Sequence, residues 1–149
     1  MTPPSFQQLN LGWNAEPNAP EPVVEVAGQD LLLRFLLDPF QYPEFKEDDG
    51  GVLRFKVCSR YRLGETNDEG WYRGQCRYSK AAPAWGEFYE IIGLDEFDNQ
   101  PNDWMNVANA PPGRHFLFYF RDDTFECFAA DWMIEPVAAN ALSRREPNV

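Results

Sequence analysis

Twelve consecutive residues, Val52 to Leu63, alternate without a break. Leu53, Phe55, Val57, Ser59, Tyr61 and Leu63 fall on one parity; Val52, Arg54, Lys56, Cys58, Arg60 and Arg62 fall on the other. Strand side chains point alternately to the two faces of a sheet, so this segment predicts a long strand with one apolar and one cationic face. A strand of that kind needs partners on its edges and an apolar layer over its inner face.

The rest of the chain supplies both. Val23–Val26 and Leu31–Leu37 flank the turn-like Ala27-Gly28-Gln29-Asp30 and read as a β-hairpin. Leu31–Leu37 is apolar on both faces apart from Arg34, which predicts a central strand. Trp71–Tyr78 and Trp85–Ile92 alternate in the same way. Arg114–Arg121 and Thr124–Ala129 form a hairpin around Asp122-Asp123, with Phe116, Phe118, Tyr119, Phe120, Phe125 and Phe128 making it almost wholly aromatic. Prolines at 3, 4, 17, 20 and 22 make residues 1–22 an extended arm laid on the domain, with an edge strand expected at Leu9–Trp13. Asp103 caps an expected short helix through Trp104, Met105 and Val107, and a second short helix is expected within Asp131–Leu142. Residues 143–149 are expected to fray.

Short connections imply antiparallel pairing, and aromatic faces must be buried against one another. The expected fold is therefore mainly β: a single antiparallel β-sandwich or partly closed barrel over residues 23–142, with one or two short helices. The length of 149 residues suits one core of this kind.

Charge bounds the function. The net charge is −11, distributed as +4 within Gly51–Lys80 and −15 outside it. Such acidity repels phosphate backbones and anionic lipid, so neither nucleic acid nor membrane is an expected partner. A basic protein is. The N-terminus lacks the positive start and apolar run of a secretory signal. The three cysteines, Cys58, Cys76 and Cys127, lack metal-ligand spacing and read as reduced thiols of a cytoplasmic protein, with a Cys58–Cys76 bridge as the lesser alternative.

Four groupings of residues bear on chemistry. The cations Arg54, Lys56, Arg60 and Arg62, joined by Arg73 and Arg77 if the strands align, form either an anion site or an outer face cross-paired with Glu25, Glu87, Glu90 or Glu126. The acidic run Asp95, Glu96, Asp98 and Asp103, with Asp68 and Glu69 and the aromatic Trp104, is either a contact surface for a basic partner or an ordinary solvated loop. It contains a Pro and no Gly, unlike a calcium loop, and no metal or other cofactor is expected. His115, the one histidine, reads as structural, although Cys127 across the hairpin makes a Cys–His pair conceivable. Glu87, between Trp85 and Tyr89, and Glu126 on another strand resemble a carbohydrate cleft in residue type only.

No phosphate-binding Gly loop, nucleophile elbow or zinc spacing is present, so a catalytic residue set is not expected. The leading expectation is a non-catalytic cytoplasmic binding protein of immunity or inhibitor type, whose carboxylates engage a basic protein. The alternative is a small anionic-ligand or carbohydrate-binding β domain using the Arg-rich face. A homodimeric subunit paired through the aromatic hairpin is a third reading.

Overall fold

Leu31, Leu33 and Phe35 share one parity with Leu53 and Phe55, and Phe116 and Phe118 meet Phe125 and Cys127 across a hairpin. Each set makes one apolar sheet face, and the two faces close on each other. The structure, a computed structural model, describes residues 5–64, 84, 86–93 and 104–137. Among them the strands are β1 (Ser5–Gln8), β2 (Val23–Ala27), β3 (Asp30–Leu36), β4 (Gly50–Lys56), β5 (Arg60–Gly64), β6 (Phe88–Ile92), β7 (Met105–Asn106), β8 (Arg114–Tyr119), β9 (Thr124–Ala129) and β10 (Asp131–Val137). They form a six-stranded sheet, β1-β6-β8-β9-β5-β7, and a four-stranded sheet, β10-β4-β3-β2. All pairings are antiparallel, and neither sheet closes on itself. The fold is a mainly-β sandwich.

The core between the sheets is aromatic. Phe88 is fully buried and lies 5.3 Å from Phe118, 6.1 Å from Phe116 and Phe55, and 5.2 Å from Trp132. Each such ring contributes about 1.5–3 kcal/mol through burial. Trp13 stacks on Phe35 at 5.8 Å, which lays the N-terminal arm against the core. Buried Asn10 secures the same arm, accepting from Phe88 N–H and donating to Glu87 and the Trp13 carbonyl. The hairpin's rings Phe116, Phe118, Phe120 and Phe125 are spent on this core.

Several expected elements take a different form. The arm's strand is Ser5–Gln8, not Leu9–Trp13, because Trp13 turns into the core. No helix forms around Trp104–Val107; β7 pairs with β5 instead. Residues 131–137 are also a strand, with Trp132 and Ile134 inward and Met133 outward. Pro136 stands there on an edge strand, where a missing N–H is tolerated. The β8–β9 strands stop at Tyr119 and Thr124, and the loop between them closes through Phe120 N–H to the Asp123 carbonyl at 2.8 Å.

The largest departure lies in Val52–Leu63, which is two strands in two sheets. β4 ends at Lys56 and the chain crosses to the opposite sheet before β5 begins at Arg60. Val57 makes the bend at φ 50°, a left-handed conformation that costs a β-branched residue about 1–2 kcal/mol. Asp30 anchors it, accepting Val57 N–H at 3.0 Å while pairing with Arg54 at 2.9 Å and Lys56 at 3.3 Å. β9 and β10 make the return crossing alongside, joined to the corner by Ser59 N–H to Phe128 O at 2.9 Å and Ala130 N–H to Lys56 O at 2.8 Å. The ribbons β4–β10 and β5–β9 thus continue into each other around one corner.

Candidate functional site

The corner divides the cationic stripe. Arg54 and Lys56 stay on the outer face of the four-stranded sheet, both held by Asp30. Arg60 and Arg62 come to lie on the outer face of the six-stranded sheet. These four cations therefore do not share one surface. Of the carboxylates expected to cross-pair with them, Glu126 holds Arg62. Glu25 takes Arg34, Glu90 takes Arg114, and Glu87 accepts from Gln8 and Asn10. Arg73 and Arg77 lie outside the described residues.

On the six-stranded sheet the register brings together what the sequence leaves scattered. Arg60 on β5 stands beside Phe128 on β9, and Phe128 beside His115 on β8. The Arg60 guanidinium lies 4.7 Å from the Phe128 ring centre and 4.5 Å from that of Trp104. His115 stacks on Phe128 at 4.3 Å with 18° between the planes. Two residue pairs further along, on the same face, Arg62 stands beside Glu126. Glu126 is 0% exposed and its two oxygens face different partners: Arg62 Nη1 at 3.4 Å and His115 Nε2 at 2.9 Å. Removing a carboxylate from water costs several kcal/mol, which only close partners offset. Glu126 thus fixes the plane of His115 and the position of Arg62 together.

Arg114 completes this end of the sheet. It donates Nε and Nη2 to Glu90 at 2.9 and 2.8 Å, and Nη1 to Asp131 at 2.9 Å. The Glu90 carboxylate, with Asp131 adding, raises the guanidinium pKa above its ordinary value. A hollow of about 410 Å³ opens here, lined among others by Arg60, Glu90, Gly93, Arg114, His115 and Phe128. A second, of about 470 Å³, shares Arg60 and Pro112 with it and is lined also by Asn106 and Asn109.

Trp104, expected in the acidic contact surface, is placed against Arg60 and 5.5 Å from Phe128. Asp68, Glu69, Asp95, Glu96, Asp98 and Asp103 lie outside the described residues. A different acidic segment, outside the expected contact residues, joins β3 to β4. Residues 38–49 carry Asp38, Glu44, Glu47, Asp48 and Asp49 against Lys46 alone, with Phe40 76% exposed. Burial, and then Glu87, Asp38 and Glu44, push the Tyr42 hydroxyl above the ordinary tyrosine range. Glu16, Asp38 and Glu87 line a hollow of about 450 Å³ beside it. The density of carboxylates around Phe40 and Tyr42 was visible in the sequence. Its proximity to Glu16 and Glu87 required the fold.

The remaining groupings separate. Cys127 faces the core while His115 faces the outer surface of the sheet, so they form no nucleophile pair. Burial above all, and then hydrogen bonding to Cys58, push the Cys127 thiol well above its ordinary range. Cys58 and Cys127 are buried free thiols, and Cys76 lies outside the described residues. Glu87 and Glu126 have separate partners, and Trp85 is likewise outside the described residues. Among the described residues no three His, Cys, Asp or Glu side chains converge as a metal site, and no helix is long and apolar enough to cross a membrane.

Comparison with known proteins finds no matching family model, no matching curated protein and no matching solved structure.

Proposed function

We propose that this chain is a non-catalytic binding protein that presents carboxylates and aromatic side chains to a basic protein partner, in the manner of an immunity or inhibitor protein. The supporting observation is where the charge is spent. Arg34, Arg54, Lys56, Arg62 and Arg114 are all engaged by carboxylates of the same molecule. Glu44, Glu47 and Asp48 are exposed to solvent in the same segment as an exposed Phe40, the pairing of a desolvating aromatic with surrounding charge that serves a steered protein contact. Blocking a cationic cleft suits such a surface, since carboxylates then replace an anionic substrate. Trp104 and the acidic residues Asp68, Glu69, Asp95, Glu96, Asp98 and Asp103 are the contact residues in this reading. A cytoplasmic setting with reduced cysteines belongs to the same reading.

The test is quantitative binding to a basic partner captured from the source cells and then purified. The dissociation constant should rise steeply with salt, and Lys at all six acidic positions should weaken binding at least about tenfold, or 1.4 kcal/mol. Binding that ignores both salt and the charge reversal refutes the reading.

A further inference from the structure

Cys58 and Cys127 are distant in sequence and meet in the core, both fully buried. The corner between the sheets brings them together. β5 pairs with β9 so that Tyr61 stands opposite Cys127. The bend at Val57 turns Cys58 inward beside that pair, with Ser59 N–H held by the Phe128 carbonyl at 2.9 Å. The two thiols are in hydrogen-bond contact. We infer that Cys58 and Cys127 are a redox pair, which a small peroxide closes into one disulfide that fastens the crossing between the two sheets.

Two sulfurs in contact, on backbone segments already hydrogen-bonded to each other, need little more than side-chain rotation to reach the ~2.05 Å of a disulfide. Their surroundings give them different roles. Cys58 stands at the rim of the core between the partly exposed Val57 and Ser59, whereas Cys127 stands between the buried Glu126 and Phe128. Burial, and then the hydrogen bond to Cys58, keeps the Cys127 thiol protonated. Cys58 is therefore the sulfur that peroxide reaches, and Cys127 the one that resolves the product. In the first step the Cys58 thiolate attacks a peroxide oxygen, the O–O bond breaks, and Cys58 becomes a sulfenic acid while hydroxide leaves and takes up the thiol proton as water. In the second, the Cys127 sulfur attacks the Cys58 sulfur, the S–OH bond breaks, and the Cys127 proton departs with that hydroxide as water. Two thiols are thus oxidised by two electrons in all, and one hydrogen peroxide is reduced to two waters. The bridge closes a long loop, so it stabilises chiefly by restricting the unfolded chain.

The test uses the full chain carrying Cys76→Ser, so that this pair holds the only thiols. Hydrogen peroxide is added to the folded protein, and alkylatable thiols are counted by mass spectrometry after denaturation. The expected result is loss of both thiols, a mass lower by about 2 Da, and one non-reduced peptide joining Cys58 to Cys127. The oxidised protein should melt at least about 5 °C higher and return to its starting midpoint with dithiothreitol. Cys127→Ser in the same background should instead leave a sulfenic acid on Cys58, trapped by dimedone as the chain is unfolded. Cys127→Ala replaces that variant if it does not fold. Two thiols that stay alkylatable overturn the inference. So do a disulfide that forms only in urea, products confined to linked dimers or sulfinic acid, and a disulfide that lowers the melting midpoint.

Discussion

Asp30 holds the bend at which the chain leaves one sheet for the other, and its substitutions separate two kinds of support. Its carboxylate makes ion pairs with Arg54 and Lys56, whose side chains are partly exposed. Pairs of that kind contribute about 0–1 kcal/mol each. It also accepts the N–H of Val57, a partly buried donor in a strained left-handed residue. Leaving such a donor without an acceptor costs about 1–3 kcal/mol. Asp30→Asn keeps an oxygen for Val57 and loses only the charge, so it should cost about 1 kcal/mol. Asp30→Ala loses both and should cost about 2–4 kcal/mol. Urea unfolding followed by tryptophan fluorescence measures this, since Trp13 is buried in the core; equal m-values in the three proteins are required. The Asp30 carboxyl is held below its ordinary range, first by the Val57 N–H, with Arg54 and Lys56 adding to it. A depressed folded value stabilises fully above the unfolded pKa of about 3.9 and is lost as pH falls through the folded one. The gap between wild type and Asp30→Asn should therefore be constant from about pH 5 to 8 and shrink below about pH 4. If Asp30→Ala and Asp30→Asn agree within about 0.5 kcal/mol, the Val57 hydrogen bond does not hold the corner.

Two further predictions concern the outer face and wall of the six-stranded sheet. Glu126→Ala should destabilise by about 3–5 kcal/mol, because two buried groups lose a shared carboxylate, and Glu126→Gln by less; a thermal or urea midpoint within about 1 kcal/mol of wild type would contradict the energetic account of this cluster. At Gly113, φ is 77° and an added Cβ would stand 2.5 Å from the Ala129 carbonyl oxygen, whereas Gly28, at φ 64°, faces open space. Gly113→Ala should accordingly cost about 2–4 kcal/mol and Gly28→Ala about 1 kcal/mol by circular-dichroism melting; equal losses would show that the contact with Ala129 is relieved by a backbone shift.

Local sequence determined the class of structure and most of its strands. Alternation marks Phe88–Ile92, because a pleated backbone sends neighbouring side chains to opposite faces, while short apolar or aromatic runs bounded by turn residues mark Leu31–Leu36, Arg114–Tyr119 and Thr124–Ala129; neither rule needs knowledge of the fold. The same alternation was present in Trp132, Met133, Ile134 and Glu135, followed by Pro136. What alternation could not show is the corner at Val57. Leu53 and Phe55 point inward from one sheet, and Tyr61 and Leu63, of the same parity, pack on the same core from the other. The crossing preserves parity, so the pattern runs through it unbroken. For the same reason Arg54 and Lys56 part from Arg60 and Arg62, although all four share one parity. Long-range register then set Arg60 beside Phe128 and His115, and Arg62 beside Glu126. Strand character is a property of a few adjacent residues. Which cation meets which carboxylate depends on residues tens of positions apart, and only the closed sandwich brings those together.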